Sequence, residues 1–213
     1  MLSLAPEVAA IVRPGVLAFE GVRVVERDPA LDEPLAAVER QVRLSPPPEA
    51  AEVRSMYRAV GIDPTRRRPS SEALLRRVQR GEPLPRINSL VDISNWCSLE
   101  FQLPYGLYDL DQVTPPIALR LGRDGEQYAG IRKDVVHVGG RLTLADAQGP
   151  FGNPSSDSAR TMVVPGATRV LVVVFAPAAV RQDRLRQVVE TTAVRIERFS
   201  GGRQTFAAVL TGI

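Results

Sequence analysis

The run Val170-Leu-Val-Val-Val-Phe-Ala176 constrains this chain more than any other segment. It is unbroken, mostly β-branched and far shorter than the roughly 20 residues that span a bilayer. β-Branched side chains suit strands, and a strand with no polar alternation has to be covered on both faces. The chain therefore has to build a sheet with Arg169–Ala176 as a buried central strand. At 213 residues it is long enough to do so, since a domain uses roughly 100–200 residues and one of this size buries about 70% of its unfolded surface.

Upstream of that strand, helical periodicity dominates. Asp32–Arg43 carries Leu35, Val38 and Val42 on one face, with Pro34 in the first turn. Ser45-Pro-Pro-Pro48 then halts it. A second helix is expected from Glu49 through Val53, Met56, Tyr57 and Val60, closed by Gly61. A third opens with Ser70 or Ser71 as N-cap and Glu72 in the first turn, where the helix dipole favours an acid, and stops at Gly81. A fourth puts Trp96, Leu99 and Leu103 on one face, with Asp92 or Ser94 as candidate cap, and ends at Pro104. Among the early segments Gly15–Val25 reads as β, in two short runs split by Glu20-Gly21.

Downstream, the period changes to two. Ile117–Leu121 alternates like a half-buried strand, Asp124-Gly125 suits a tight turn, and Val135–Val138 with Arg141–Ala145 reads as a second hairpin. A helix from Ala178 to about Thr192 and a last hairpin of Arg195–Phe199 with Arg203–Leu210 follow. Early helices, late hairpins and no βαβ alternation predict an α+β fold, with mixed, mostly antiparallel sheets in layers and flanking helices. Residues 1–213 form one domain in this reading. Residues 1–48 are a strand–helix extension packed on the core, 49–177 the core, and 178–213 a helix and hairpin that complete it.

Scarcity bounds the chemistry. One cysteine, Cys97, excludes an intramolecular disulfide and fits a reducing compartment; inside an apolar helical pattern beside Trp96, it reads as a buried structural thiol. One histidine, His137, cannot build a histidine-rich metal site, and no Gly-x-Ser-x-Gly elbow accompanies it. Neither a P-loop nor a dinucleotide fingerprint occurs. No metal and no cofactor are expected. Residues 1–15 lack a basic region followed by a long apolar core, so a cytoplasmic protein with no membrane association is expected. The net charge of +3 is mild, but Lys133 is the sole lysine among 27 basic residues. Arginine forks match phosphates, and a GC-rich genome yields the same bias, so composition alone names no partner.

Three polar constellations stand out. Arg66-Arg67-Arg68 precede a helix start, which favours anions, and Arg76, Arg77 and Arg80 follow on that helix; a solvated charged loop would look the same. Val91-Asp-Ile-Ser-Asn-Trp96 offers Asn95 as a group for a ligand amide or carboxylate. Gly152-Asn-Pro-Ser-Ser-Asp-Ser-Ala-Arg-Thr161 offers an acid, hydroxyls and an arginine in one loop beside the buried strand, either as a pocket wall or as a surface turn.

Arg68-Pro-Ser-Ser-Glu-Ala-Leu-Leu-Arg-Arg77, Ile87-Asn-Ser-Leu-Val-Asp-Ile-Ser-Asn-Trp96, Leu103-Pro-Tyr-Gly-Leu-Tyr-Asp109, Gly149–Thr161 and Arg169–Phe175 follow one another as a set of spaced blocks. In these blocks, covering roughly residues 49–177, the chain resembles the B3/B4 domain of the phenylalanyl-tRNA synthetase β subunit. Stretches for aminoacylation, anticodon binding and subunit pairing are missing, so it is similar to the freestanding proteins of that family. The resemblance implies an editing module that removes tyrosine wrongly attached to the phenylalanine tRNA, by water attack on an ester helped by the terminal ribose hydroxyl. The implied partner is tRNA or aminoacyl-tRNA, not DNA; an oligomeric state is not specified. The family's Thr-Asn pair falls on Ser94 and Asn95, its pocket proline on Pro104 and its closing aspartate on Asp109. Its histidine falls on Gly106, and its glutamate that reads the tyrosine hydroxyl falls on Asp157, one methylene shorter. Candidate pocket residues are thus Ser94, Asn95, Pro104, Tyr105, Gly106, Asp109, Asp157, Arg160 and Thr161, with none assigned as catalytic. Arg66, Arg67, Arg68, Arg76 and Arg77 are the RNA-binding candidates. Hydrolysis in trans, a non-catalytic module binding an amino acid or RNA end, and a partner protein docked through residues 1–44 remain open at this level.

Overall fold

A computed structural model describes residues 2–48, 50–132 and 135–211. The apolar run lies in β10 (Arg169–Pro177), which pairs antiparallel on one side with β2 (Val12–Glu20) and on the other with β3 (Tyr105–Asp109). β11 (Arg203–Val209) adds to the far side of β2, giving the order β11-β2-β10-β3. Alternation along β10 divides the core. Val170 and Val172 join Leu17, Phe19 and the helical residues Ile93, Val189 and Ile196, whereas Leu171, Val173 and Phe175 join Leu119, Leu142 and Leu144 of a second sheet. Both faces of β10 are therefore covered, as its composition demands, even though both neighbours are antiparallel.

The helical face carries α2 (Asp32–Leu44), α4 (Ser70–Gln79), α5 (Ser89–Phe101) and α6 (Gln182–Ser200). On the opposite side lies a sheet of order β1-β4-β7-β8-β9, made of Leu2–Leu4, Ile117–Leu121, Leu142–Asp146, Gly149–Asn153 and Ser156–Asp157. α3 (Ala51–Ala59) packs Val53, Met56 and Tyr57 into the core between the sheets, and the one-turn α1 (Pro6–Ala9) links β1 to β2. The β1–β4 pair is parallel and the remaining strand pairs are antiparallel among the described residues. This is the expected α+β class. No helix of the described residues is long and apolar enough to cross a membrane.

Several local expectations need correction. Residues 2–48 do not lie over a finished core, because β2 sits between β10 and β11. Val135–His137 (β6) pairs with Gln127–Ala129 (β5), and β7 pairs with β4, so the predicted 135–145 hairpin does not form. Register explains this: Leu142 and Leu144 reach the main core beside Leu119, while Val136 packs with Tyr128 and Val138 in a satellite cluster. Residues 195–199 lie in α6, where Ile196 continues the buried stripe of Val189 and Ala193, and β11 pairs with β2 instead. α4 starts after Pro69 with no side-chain cap, so neither Ser70 nor Ser71 fills that role. α5 is capped by Asn88, whose Oδ1 accepts from the Val91 amide at 3.0 Å; Asp92 and Ser94 lie inside the helix. Glu49, the expected start of the second helix, lies outside the described residues.

Candidate functional site

The edge strand β3, the helices α4 and α5 and the short strand β9 enclose a chamber of about 190 Å³. α5 contributes Ser94 and Asn95, β9 contributes Asp157, and the apolar wall includes Leu74, Val91 and Leu107. Two adjacent polar residues and an acid distant from them in the chain thus line one hollow. Local geometry fixes them. Asn88 caps α5 and its amide also donates to the Val163 carbonyl at 3.1 Å, tying the helix start to the segment after β9. Asp92, fully buried in the first turn, accepts from the Ile87 amide at 2.8 Å and from Arg86 Nε at 2.6 Å. A carboxylate at a helix start is favoured by the dipole, so this acid is spent on structure.

A second chamber of about 220 Å³ adjoins the first and is lined by Asn153, Pro154, Ser155 and Ser156. The two have Ser70, Tyr105, Ile131 and Asp157 in common, so Asp157 stands at the neck between them. The wall is built by a side chain acting as a turn template, because Asn153 Oδ1 accepts from the amides of Ser155 and Ser156 at 2.8 and 2.9 Å. Tyr57 anchors the same turn from below through a 2.8 Å bond to the Pro154 carbonyl. Ser155 and Ser156 also border a wider cleft of about 400 Å³ together with Arg66, Arg67, Arg68 and Val135. The three hollows thus share lining residues in series: an apolar chamber, a serine-lined one with Asp157 common to both, and a cleft bordered by arginines.

Gly106 acquires a physical explanation here. A Cβ at Gly106 would lie 2.2 Å from the Tyr108 hydroxyl, and one at Gly152 of β8 would lie 2.3 Å from it. The Tyr108 ring is clamped over two residues that have no side chain, and it meets Phe151 edge-on with centroids 5.0 Å apart. Its hydroxyl is fully buried beside Asp157; burial first, and then the Asp157 charge, hold this phenol protonated well above its ordinary range. The space that a longer side chain at 106 would take is thus filled by Tyr108. Period two already puts 106 and 108 on the same face of a strand, a signal the sequence reading left unused. Ser70, considered there only as a cap, was likewise missed.

The other candidates divide. Tyr105 lines both chambers, but its hydroxyl bonds Thr192 Oγ1 of α6 at 2.9 Å, and burial drives its ionisation far upward. Pro104 is outside the lining, and its carbonyl accepts from the Phe175 amide. Asp109 caps the short turn at 110–112 through the Asp111 amide at 3.0 Å and is not in the lining. Arg160 is bidentate to the buried Asp146 at 2.9 and 3.0 Å. Thr161 is buried, and its carbonyl accepts from the Asp109 amide at 2.9 Å. Structural bonding accounts for these last four. Among the arginines, Arg68 and Arg76 converge with Arg54 on Glu72, and Arg66 lies 3.7 Å from Asp63. Arg77 turns away to the Pro83 carbonyl and Glu82. His137 is exposed on β6. Cys97 is buried and its thiol is pushed upward by burial, against the pull of Arg195, which donates to Sγ at 3.4 Å. No group of three or more His, Cys, Asp or Glu poised for a metal occurs among the described residues.

The family model of the B3/4 domain matches residues 52–208. This chain belongs to the B3/4 domain family. Among curated relatives, the phenylalanine–tRNA ligase beta subunit of Bartonella henselae is 34% identical over 64 residues, which are 30% of this chain and 8% of that protein. The same subunit of Haemophilus influenzae is 30% identical over 105 residues, 47% of this chain and 13% of that protein. The B3/4 chain thus matches only a small part of either relative's length. An N-terminal fragment of the phenylalanyl-tRNA synthetase beta-subunit from Pyrococcus horikoshii superposes with a TM-score of 0.49 at 14% identity, over 96% of this chain and 50% of that one.

Proposed function

We propose that this B3/4 chain binds the aminoacyl end of a tRNA in the cytoplasm and hydrolyses mischarged aminoacyl-tRNA in trans. The observation that carries the reading is the series of hollows that share lining residues: an apolar chamber, Asp157 common to it and a serine-lined chamber, and an arginine cleft. An aminoacyl-adenosine presents the same sequence of chemistries, with a side chain, an ammonium-bearing carbon, an ester and then phosphates. Arg66, Arg67 and Arg68 would meet the phosphates, Asp157 the aminoacyl group, and Ser94 and Asn95 the polar side of the chamber. Hydrolysis by this route needs no protein nucleophile. Water adds to the ester carbonyl, the acyl–oxygen bond breaks, and the ribose oxygen leaves with a proton supplied by solvent or the neighbouring hydroxyl. Holding the ester and water in place contributes several kcal/mol to such a step.

Incubation with a panel of mischarged tRNAs tests the reading. Deacylation above buffer, reduced at least tenfold by Asn95→Ala with the fold intact, is the expected result. No deacylation for any member removes the hydrolytic part. A non-catalytic reading, in which the site binds an amino acid or RNA end without turnover, is favoured by one observation: Tyr108 fills the place beside Gly106, so no imidazole is available there. Under that reading calorimetry registers tRNA or aminoacyl-analogue binding with no release of amino acid.

A further inference from the structure

We infer that Asp157 reads the α-ammonium group of an amino acid with an aliphatic side chain, and that Tyr108 is the positioning residue that holds its carboxylate at the neck. The inference rests on the proposed aminoacyl site and names its substrate class. Position is the first argument. A group that recognises the tip of a side chain belongs at the blind end of the chamber receiving that side chain. Asp157 instead lines both chambers at their junction, with Ser70, Tyr105 and Ile131. A ligand extending into both chambers has its branching carbon at that junction, so the acid meets what is attached there.

The floor supplies the second argument. The Tyr108 hydroxyl lies beside Asp157, within 2.3 Å of where side chains at Gly106 and Gly152 would begin. Gly152 is the direct cross-strand partner of Asp157. The volume beneath the carboxylate is therefore occupied by the chain's own phenol, and no slot remains there for the phenol of a bound tyrosine. Edge contact with Phe151 and the two close glycine backbones keep that ring from moving aside.

Walls are the third. Leu74, Ile87, Val91, Leu107, Met162 and Val163 give the inner chamber a hydrocarbon surface. Of its serines, Ser98 is already committed to the Leu103 carbonyl at 2.7 Å. Such a wall, making up most of the lining, favours an aliphatic side chain.

Calorimetry with three hydrolysis-resistant probes decides the matter: 3′-amino-3′-deoxyadenosine acylated with leucine, with tyrosine, and with N-acetyl-leucine. Wild-type protein should bind the leucyl probe at least tenfold more tightly than the tyrosyl one. Loss of a charge-assisted contact is worth about 10- to 100-fold in affinity. Asp157→Asn should weaken leucyl and tyrosyl probes by the same factor in that range, and N-acetylation should reproduce it in wild type. In Asp157→Asn, N-acetylation should then change nothing further. Tyr108→Phe, its fold verified by circular dichroism, should weaken the leucyl probe several-fold without altering the order of preference. A loss confined to the tyrosyl probe in Asp157→Asn, or equal binding of leucyl and N-acetyl-leucyl probes to wild type, overturns the inference while the aminoacyl site stands. Should Asp157→Asn not fold, the N-acetyl comparison in wild type alone decides. Binding of none of the probes to wild type removes the aminoacyl site and the inference together.

Discussion

Glu72→Ala removes one carboxylate that three guanidinium groups share. Glu72 sits in the first turn of α4 with its side chain 9% exposed, and Arg54 grips both its oxygens at 2.9 and 3.2 Å. Arg68 and Arg76 each reach it at 3.2 Å but are 41% and 43% exposed. Those two pairs contribute only a few tenths of a kcal/mol each, being open to water and salt. The Arg54 pair matters more, since Arg54 is 24% exposed and breaking this contact costs about 2–3 kcal/mol. The expected total is about 3 kcal/mol, which at a urea m-value of about 2–3 kcal/mol/M lowers the unfolding midpoint by about 1 M. Salt should recover little of it, because the dominant pair is shielded. The Arg54 hydrogen bond, more than any other influence, holds the Glu72 carboxyl below its ordinary value of 4.5. A folded-state pKa below the unfolded one gives stability that is complete above about pH 4.5 and lost as pH falls through the folded value. Wild type should therefore lose stability in acid more steeply than Glu72→Gln. A midpoint shift under 0.2 M, roughly 0.5 kcal/mol at these m-values, or coincident acid limbs for wild type and Glu72→Gln, would refute the reasoning.

Gly106→Ala sets a methyl group 2.2 Å from a clamped, buried hydroxyl and should cost about 1–3 kcal/mol, seen as a lower Tm in thermal melts; an unchanged Tm would mean Tyr108 can step aside. Asn88→Ala deletes the α5 cap and the bond to Val163, a loss of about 1–2 kcal/mol in urea titrations. Tyr57→Phe leaves the Pro154 carbonyl without its buried donor, which should cost about 1–2 kcal/mol. Hydrogen exchange should quicken at the amides of Ser155 and Ser156 first, and uniform quickening across the sheets would argue against a local anchor.

What was legible in the sequence, and what was not, follows from the range of the forces involved. The Val170–Ala176 run announced its own burial, because nothing else can be done with seven consecutive apolar side chains in water. α2 and α3 followed their periodicity for the same reason. Pairings failed where the sequence carries no local information about a partner. Arg203–Val209 alternates well enough for a strand, yet nothing within it names β2, nearly two hundred residues upstream. Residues 195–199 were misread as a strand because their helical stripe is continuous only with Val189 and Ala193 before them. At the site, ordered family blocks pointed to Ser94, Asn95 and Asp157, which line one hollow, while the polar groups of Asp109, Arg160 and Thr161 are engaged in turns and ion pairs that only three dimensions disclose. Tyr108 was overlooked because a tyrosine in a strand ordinarily reads as core.

The placement of β2 has a consequence for how the protein is made. Its two neighbours, residues 169–177 and 203–209, are translated long after it. Residues 12–20 consequently wait on the ribosome with both hydrogen-bonding edges unsatisfied while some 150 further residues are polymerised, and pairing across so large a sequence separation is slow. During that interval an apolar, partnerless strand is a target for chaperones and for neighbouring nascent chains alike. The open side of β2 can be shut only once residues 203–209 have been made, since β11 is the strand that pairs with it.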